Sequence, residues 1–508
     1  MIQRIASLII SILLSVLLLI GCAQAPADPP SEGSGLNVPE KAAPQFLLPD
    51  HFSLPHDPNL TLDPITCSDG MQQVVASLLC EGLFRLTPNF IPTPWLCFSY
   101  TCTEDYTSYT FTLRDNIVFS DGSPLTGADV KAALNRARTS ERYGSRLADI
   151  TSVSAEGQTV TVSLASPNSS LPALLEIPIL KCGTEQGAAP IGTGPYLFSQ
   201  EESSAYLVAN QSWWRGSRQP LDRISLVETA DQDTILYRFT SFDVQLITAD
   251  LIGTTPISIT GNVDYQNVST TIFQYLGCNT TRAPLNSSAF RSALSLGINR
   301  EGLCSAFLSG HAVPAQFPVS PAADLYPADL EVPHSQNEFS AALAACGYTP
   351  DRPLVLLVNS ENPFKVSAAQ YLAESFSAAG LFMEVQVLPW EEYSAALAAG
   401  NFDLYYGEVK LSADWDLTSL LSTGGTLNYG GWASEFTDQL LSAYAAADDP
   451  AAAMESLCAH LQKQAPILPL CFKYTSVLTQ SNVLENLSST MTEPFYNLPN
   501  CIIHLDNT

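Results

Sequence analysis

The second half of the chain alternates short apolar stretches with stretches of helical spacing, and this alternation constrains the fold more than any other feature. Strands that alternate with helices of this length predict βαβ units and a parallel sheet. Gly380 and Gly400 each follow a helical stretch, where glycine commonly ends a helix. Residues 287–310, which precede the alternation, are predicted to form one amphipathic helix. The alternating stretches are PLVLLVN (353–359), VSAAQYLAESFSAAG (366–380), FMEVQVLPW (382–390), EEYSAALAAG (391–400) and FDLYYGEV (402–409).

The first third of the chain has a pattern typical of a small α+β module. Residues 108–114 and 159–167 alternate polar with apolar side chains, as exposed antiparallel strands do. Residues 71–86 have helical spacing. Thr126 and Asp129 have the spacing of an N-terminal capping pair, which predicts a helix that begins near Thr126.

The N-terminus has the pattern of an export signal. A basic residue precedes an apolar run, residues 5–20, that is short for a membrane span. LIGC (19–22) resembles the box at which bacterial lipoproteins are cut and lipidated, so residues 1–21 are predicted to be a lipoprotein signal peptide and Cys22 the lipid-bearing residue. The alternative is an ordinary signal peptide with an unrelated cysteine. Residues 22–45 are rich in Pro, Ala, Gly and Ser and are predicted to be a flexible tether.

The charge and length of the chain restrict its partners and its organisation. There are 50 Asp plus Glu against 22 Lys plus Arg, a formal net charge of −28 at pH 7. Recognition of nucleic acid needs a positive footprint, so nucleic acid is excluded as a partner. At 508 residues the chain is too long for one compact core, and two or three domains are expected.

The sequence carries no common motif for catalysis or for a metal. G-x-S-x-G, H-E-x-x-H and the P-loop do not occur, which predicts a protein that is not an enzyme. Of the 12 cysteines, Cys22 is the lipid candidate, which leaves an odd number with irregular spacing. That pattern predicts neither a disulfide framework nor a zinc site. No metal and no other cofactor is therefore expected.

Two carboxylates, Asp414 and Asp416, lie in LSADWDLTSLL (411–421), directly after the predicted strand 402–409. A buried carboxylate is costly without a cationic partner. In open parallel sheets, ligands bind in the crevice beyond the carboxyl ends of the strands. Asp414 is therefore expected at a crevice rather than buried. A glycosidase-like pair is disfavoured, because alternate residues of an extended chain point to opposite faces.

Seven segments, in order along the chain, resemble the extracellular solute-binding proteins of family 5, the oligopeptide-, dipeptide- and nickel-binding components of ABC importers. Seven matches in the right order make a specific signal, and the resemblance extends over residues 52–499. The segments are LTLDP (60–64), CEGLFRLTPN (80–89), YTFTLRDNIVFSDGSPLTGADV (109–130), PIGTGPY (190–196), NQSWWRGSRQPLDRI (210–224), FRSALSLGINREGL (290–303) and NYGGWASEFTDQLL (428–441).

The resemblance implies an α/β fold of the periplasmic-binding-protein-like type II class, in which two lobes close on the ligand by a hinge. An extra α+β domain is inserted in the first lobe. The expected boundaries are residues 46–62, 188–272 and 473–508 for lobe I, 63–187 for the inserted domain II, and 273–472 for lobe II (domain III). In peptide-binding members the ligand backbone pairs with protein strands, and its side chains lie in hydrated pockets.

The resemblance also implies a role for Asp414. Peptide-binding members carry an Asp, in a segment like A-D-Y-x-x-P-x-x-F-L, that pairs with the α-ammonium group of the ligand, and Asp414 stands at that position in ADWDLTSLL (413–421). This segment is about one residue shorter and lacks the proline, and GEVK (407–410) replaces the usual upstream Gly-Trp. Lys410 has two open roles. It pairs internally with Asp414 or Asp416, or it binds the carboxylate of the ligand.

Five further residues are ligand-binding candidates. Cys67, Ser68 and Asp69 follow LTLDP in a loop that is expected to line the cleft, and a plain Asx-turn is the alternative for this loop. Trp415 and Trp432 are candidates for the floor of a ligand pocket, and packing between the lobes is the alternative for both.

Together these patterns predict a lipid-anchored receptor of an ABC importer that works outside the cytoplasm. It captures short peptides and delivers them to membrane permease subunits. We expect a monomer that is held at the membrane by the lipid on Cys22. Two alternatives stay open: a receptor for a non-peptide solute such as an oligosaccharide or a metal chelate, and a surface enzyme or adhesion scaffold on the same fold.

Overall fold

The computed structural model of the chain describes residues 48–506, apart from residues 186, 188, 203, 217, 260 and 350. The predicted signal peptide, the lipidation of Cys22 and the tether fall outside these residues. We refer below to 48–506, without those six positions, as the described residues.

The described residues form several runs of consecutive strands in the first half of the chain and alternating strands and helices from β13 to β16. The strands are β1 (Ser53–His56), β2 (Phe84–Leu86), β3 (Pro92–Pro94), β4 (Cys97–Cys102), β5 (Ser108–Leu113), β6 (Ile150–Glu156), β7 (Thr159–Leu164), β8 (Tyr196–Glu201), β9 (Ser204–Ala209), β10 (Arg223–Glu228), β11 (Leu246–Ala249), β12 (Val263–Cys278), β13 (Ala312–Pro314), β14 (Leu354–Asn359), β15 (Met383–Leu388), β16 (Leu404–Lys410), β17 (Ile467–Gln480), β18 (Leu484–Glu485) and β19 (Ile502–Ile503). The α-helices are α1 (Gly70–Leu79), α2 (Gly127–Ala137), α3 (Gln232–Thr240), α4 (Ser288–Leu296), α5 (Arg300–Ala306), α6 (Gln336–Ala345), α7 (Pro363–Ala378), α8 (Trp390–Ala398), α9 (Thr418–Leu421), α10 (Glu435–Ala445) and α11 (Pro450–Gln464).

The largest sheet contains the parallel unit that the sequence predicts. Its order is β11-β17-β12-β16-β14-β15, with β13 paired to β17. β14 pairs in parallel with both β15 and β16, and helices α7 and α8 connect these strands. The long strands β12 and β17 are antiparallel to each other, and β12 is antiparallel to β16. The predicted parallel sheet is thus confirmed for three strands, and antiparallel strands extend it.

Two helix predictions are wrong in part. Residues 71–86 are helical only as far as Leu79, and residues 84–86 form strand β2. Residues 287–310 form two helices, α4 and α5, rather than one. Helix α4 ends at Leu296 before Gly297, and the side chain of Asn299 then accepts a hydrogen bond from the backbone N–H of Gly302 at 2.9 Å. An Asn that caps a new helix start in this way interrupts the continuous hydrogen bonding of a single helix.

Two four-stranded sheets occupy the first half of the chain. One has the order β4-β5-β7-β6 and packs against α2, and the other has the order β1-β10-β9-β8. The capping box at the start of α2 is present, because Asp129 accepts hydrogen bonds from the backbone N–H and the hydroxyl group of Thr126. This arrangement confirms the predicted α+β module.

The large sheet separates two hydrophobic cores. Leu356 and Val358 belong to one core, and Leu357 between them belongs to the other. Successive strand residues point to opposite faces, so continuous apolar strands such as β14 are those that are buried on both sides. A third core joins residues 52–268 with residues 477–498. The division into lobes and an inserted domain stays a prediction.

Candidate functional site

The loop after β16 places Asp414 inside the protein, not at an open crevice as we expected. Its side chain is 4% exposed. Asn168 Nδ2 donates a hydrogen bond to Asp414 Oδ2 at 2.8 Å, and the hydroxyl group of Ser412 and the backbone N–H of Asp416 donate to Oδ1. Tyr444 Oη donates to the Asp414 carbonyl oxygen at 2.7 Å. The reason for the burial is a contact with a segment 246 residues away in sequence, which no local pattern reveals.

The Asp414 carboxylate has only neutral partners. Burial raises its pKa, the charge of Asp416 adds to this effect, and the hydrogen bonds from Ser412 and Asn168 oppose it. Among the described residues no Lys or Arg forms an ion pair with Asp414, so Lys410 does not occupy it here. Burial of a carboxylate without a cation costs free energy, so binding of a positively charged group at Asp414 would be favourable.

Trp415 turns the loop into the core beside Asp414. Its backbone has φ +56°, in the left-handed region that a bulky residue rarely adopts. Its ring is 2% exposed and meets the rings of Phe90 and Phe472 edge to face, with centroids 5.2 and 5.9 Å apart. In this structure Trp415 therefore packs as a core residue. Asp416 is exposed and accepts a hydrogen bond from the backbone N–H of Thr418 at 2.9 Å, so it shapes the turn.

This loop is also where residues 86–173 meet the second half of the chain. Ala413 packs against Leu86 and Ala173 in a small apolar cluster. Further contacts are Asn168 with Asp414, Phe90 with Trp415, the Tyr106 hydroxyl group with Asp448 at 2.6 Å, and the Ser169 N–H with the Ala445 carbonyl at 2.8 Å. The predicted inserted domain and lobe II are therefore in contact around Asp414.

The loop from Cys67 to Gly70 borders a cavity of about 380 Å³. Cys67 is buried and Ser68 is exposed. Asp69 caps helix α1, since Asp69 Oδ1 accepts a hydrogen bond from the backbone N–H of Gln72 at 2.8 Å. Asp69 and Gly70 line the cavity together with Asp250. The carboxylate of Asp69 thus stabilises the start of α1. Because Asp69 also lines the cavity, its predicted contact with a ligand stays a prediction.

A buried lysine connects this cavity to the end of β16. Lys473, on β17, has a side chain that is 2% exposed, and its Nζ lies 2.5 Å from Asp250 and 3.8 Å from Glu408. Gln274 Nε2 donates to Glu408 Oε2 at 2.6 Å. Our sequence reasoning missed Lys473. Its signal was a single cation in the otherwise mostly apolar stretch ILPLCFKYTSVL (467–478).

The charges that act on Lys410 come from residues 142–176, in the first half of the chain. Surrounding protein atoms lower the pKa of the Lys410 ammonium group, and the positive charges of Arg142 and Arg146 lower it further, while Glu176 acts in the opposite direction. Arg142 Nη1 donates to the Cys67 carbonyl at 3.3 Å. The structure therefore brings Arg142 to the 67–70 loop. Sequence reasoning missed both arginines, although a pair four residues apart is notable in so acidic a chain.

Trp432 has its contacts elsewhere. Arg291 lies over its ring, 5.3 Å from the centroid, and Trp432 Nε1 donates to Thr437 Oγ1 at 3.3 Å. These partners belong to α4 and α10, so the structure does not place Trp432 beside the 67–70 loop or Lys410. Its predicted role in ligand binding stays a prediction.

The part of the chain that the structure describes contains neither a cluster of metal-ligating side chains nor a helix of membrane-spanning length and hydrophobicity. Within residues 48–506, outside the six gaps, no three His, Cys, Asp or Glu side chains are grouped as a metal would need. No helix in the same residues has the length and hydrophobicity that crossing a bilayer requires.

Comparison with known proteins decides the family. A family model described as bacterial extracellular solute-binding proteins, family 5 Middle, matches residues 92–430, which is more than half of the chain. The chain belongs to family 5. Proteins of this family are the substrate-binding components of ABC importers, work outside the cytoplasm and are not enzymes as a class.

Relatives and solved structures agree with this assignment. The glutathione-binding protein GsiB of Escherichia coli K12 is 24% identical over 419 residues, which cover 77% of this chain and 82% of GsiB. The murein tripeptide binding protein MppA, in an unliganded open form, matches with a TM-score of 0.73 and 20% identity over 89% of this chain and 96% of MppA. A nickel ABC transporter protein from Bacillus halodurans matches with a TM-score of 0.74 and 20% identity over 90% of this chain and all of that one. The predicted type II periplasmic-binding-protein-like fold is confirmed.

Proposed function

We propose that this family 5 protein is a lipid-anchored receptor that captures short peptides between two closing lobes and passes them to an ABC permease. Lobe I comprises residues 46–62, 188–272 and 473–508, and lobe II comprises residues 273–472. The domain inserted in lobe I, residues 63–187, carries Asn168. The observation that carries the proposal is the buried Asp414 carboxylate, whose hydrogen-bond partners among the described residues are all neutral.

The ammonium group of a peptide is the cation that suits this carboxylate best. In the structure Asn168 holds one side of Asp414, at 2.8 Å. When the inserted domain moves away from lobe II, this amide leaves, and a ligand ammonium group takes its place. A charge-assisted hydrogen bond contributes about 1.5–3 kcal/mol, more than the neutral bond that it replaces.

The printed names of two relatives favour the same ligand class. GsiB is described as a glutathione-binding protein and MppA as a murein tripeptide binding protein. Both ligands are peptides of a few residues. The proposal extends that class to this chain because Asp414 supplies the matching chemistry.

Calorimetric titration of the purified protein without residues 1–22 tests the proposal. We expect tripeptides with a free N-terminus to bind, and N-acetylated forms of the same peptides to bind at least tenfold more weakly. Asp414→Ala is expected to weaken the free peptide by tenfold or more. Asp416→Ala is the matched control, because Asp416 is exposed two residues away and its loss is expected to change the affinity far less than Asp414→Ala does. Asn168→Ala is expected to keep or improve affinity, because it removes the competing donor.

Equal binding of free and acetylated peptides would contradict the role of Asp414. Mass spectrometry of small molecules that copurify with the protein separates peptides from the sugar and metal-chelate alternatives. For the anchor, Cys22→Ala is expected to abolish incorporation of labelled palmitate and to release the protein from the membrane fraction. Unchanged labelling would contradict the lipid on Cys22.

A further inference from the structure

One end of the sheet β4-β5-β7-β6 contacts the second half of the chain. Strands β5 and β7 are antiparallel neighbours, so the turn before β5 (103–107) and the loop after β7 (165–170) lie at the same end of the sheet. The backbone N–H of Asn168 donates a hydrogen bond to the Tyr106 carbonyl at 3.2 Å and joins the two segments. We call these two segments together the tip.

Hydrogen bonds within the tip fix the shape of its turn. Asp105 Oδ1 accepts hydrogen bonds from the backbone N–H and the hydroxyl group of Thr107, at 3.2 and 2.9 Å. Tyr106 has φ +53°, in the left-handed region that a bulky residue rarely adopts. A residue in such a conformation persists only where its surroundings determine it. The direction of the Tyr106 side chain is therefore set by the turn.

Two hydrogen bonds join the tip to the end of helix α10. Ala445 is the last residue of α10, and its carbonyl accepts a hydrogen bond from the Ser169 N–H at 2.8 Å. The last carbonyl groups of a helix have no partner within the helix, so the tip satisfies one of them. Three residues further on, Asp448 Oδ1 accepts a hydrogen bond from Tyr106 Oη at 2.6 Å. The tip is thus attached to the second half of the chain by more than Asn168.

Asn168 is held in place while it contacts Asp414. Asn168 Oδ1 accepts a hydrogen bond from the Ser170 N–H at 2.9 Å, and the Asn168 carbonyl accepts one from Tyr109 Oη at 2.7 Å. Asn168 Nδ2 meanwhile donates to Asp414 Oδ2 at 2.8 Å. A positively charged group that binds this oxygen competes with the amide. Because both the side chain and the backbone of Asn168 are held within the first half of the chain, the whole tip has to move when the amide is displaced.

We propose that the tip is an autoinhibitory latch: its hydrogen bonds to Asp414, Ala445 and Asp448 close the ligand-free protein, and a peptide binds only after they have broken. This inference rests on the proposed function, which supplies the ammonium group that competes for Asp414. The apparent dissociation constant is the intrinsic one divided by the fraction of molecules that can bind, so the latch lowers the affinity for every peptide by the same factor. A weaker latch raises that affinity.

Tyr106→Phe and Asp448→Ala test the latch, because each removes the Tyr106–Asp448 hydrogen bond and leaves Asn168 and Asp414 unchanged. In calorimetric titrations of the protein without residues 1–22, each variant is expected to bind Ala-Ala-Ala about threefold more tightly than the wild type. The double variant is expected to bind no more tightly than either single variant, since both changes remove the same bond. Tyr237→Phe is the control, because Tyr237 is 65% exposed on α3, and its affinity is expected to equal that of the wild type.

Small-angle X-ray scattering measures closure in the absence of any peptide. The ligand-free wild type is expected to have the radius of gyration of the peptide-bound protein. Ligand-free Tyr106→Phe and Asp448→Ala are expected to have larger radii, which return to the wild-type value when Ala-Ala-Ala saturates them. Circular dichroism spectra and melting curves verify that each variant is folded.

Two results would overturn the inference. One is that the ligand-free variants have the same radius of gyration and the same affinity as the wild type. The other is weaker peptide binding by the variants, because the Tyr106–Asp448 bond would then belong to the ligand-bound state. If neither the wild type nor the variants bind Ala-Ala-Ala, the proposed function fails. Scattering then decides on the latch by itself: larger radii in the variants support it, and equal radii overturn it.

Discussion

Glu81 offers the sharpest quantitative prediction about how the folded chain is held together. Its carboxylate is buried and accepts hydrogen bonds from four neutral donors. Oε1 accepts from the indole N–H groups of Trp95 at 2.8 Å and Trp213 at 3.1 Å. Oε2 accepts from the indole N–H of Trp214 at 2.9 Å and the hydroxyl group of Thr193 at 2.8 Å. The carboxylate therefore ties residues 81–95 to residues 193–214.

The substitution Glu81→Gln keeps the shape and replaces one acceptor with an amide nitrogen. The nitrogen will face Trp214 and Thr193, because the hydroxyl group of Thr193 can rotate and accept from it, whereas an indole N–H cannot accept. Only the Trp214 indole then lacks an acceptor, and an unsatisfied buried donor costs about 1–3 kcal/mol. Trp214→Phe removes that donor. The two substitutions are therefore expected to show a coupling energy of about 1–3 kcal/mol. The double variant is expected to lose less stability than the sum of the losses in the two single variants.

The coupling is measured by urea unfolding of the wild-type protein, both single variants and the double variant, followed by far-UV circular dichroism. Glu81→Gln also removes a buried negative charge. It does so in the wild-type background and in the Trp214→Phe background alike, so this effect cancels from the coupling energy. Trp390→Phe is the control partner, because Trp390 is 59% exposed and is expected to show no coupling to Glu81. A Glu81–Trp214 coupling that is as close to zero as the Glu81–Trp390 coupling would refute the reasoning.

Two further predictions concern Asp414 and Lys473. Burial raises the pKa of Asp414 in the folded protein, so the folded state binds a proton at this carboxyl group more tightly than the unfolded state does. The free energy of unfolding therefore falls as the pH rises from about 4, the pKa in the unfolded chain, through the raised pKa of the folded protein. Melting curves between about pH 4 and pH 7 are expected to show the wild type losing stability relative to Asp414→Asn as pH rises, and a relative gain would contradict the burial effect. Lys473→Met leaves Asp250 and Glu408 without their shared cation and is expected to lower the free energy of unfolding by about 1–3 kcal/mol, at the low end because both acids keep contact with water. Lys473→Arg is expected to retain more of this stability, and urea unfolding in which the Met variant equals the wild type would exclude the linking role.

Much of the fold follows from local patterns in the sequence. The alternation in residues 353–409 predicts β14, β15 and β16 with their helices, and β14 is continuously apolar because it is buried on both faces. The Thr126–Asp129 spacing predicts the start of α2 for a similarly local reason, since both halves of a capping box lie within one turn. The break between α4 and α5 was missed, because the apolar spacing continues through Asn299 while the capping hydrogen bond ends the first helix.

The candidate site depended far more on tertiary structure. The sequence by itself determined the family resemblance and the place of Asp414 after a parallel strand. Only the tertiary structure decided that Asn168 covers Asp414, that Lys410 leaves it unpaired, and that Arg142 reaches the Cys67 carbonyl group. The physical reason is that charge pairing and burial are set by distances between segments that lie hundreds of residues apart in sequence. The sequence of a strand and of the loop that follows it does not specify which distant side chain will contact that loop.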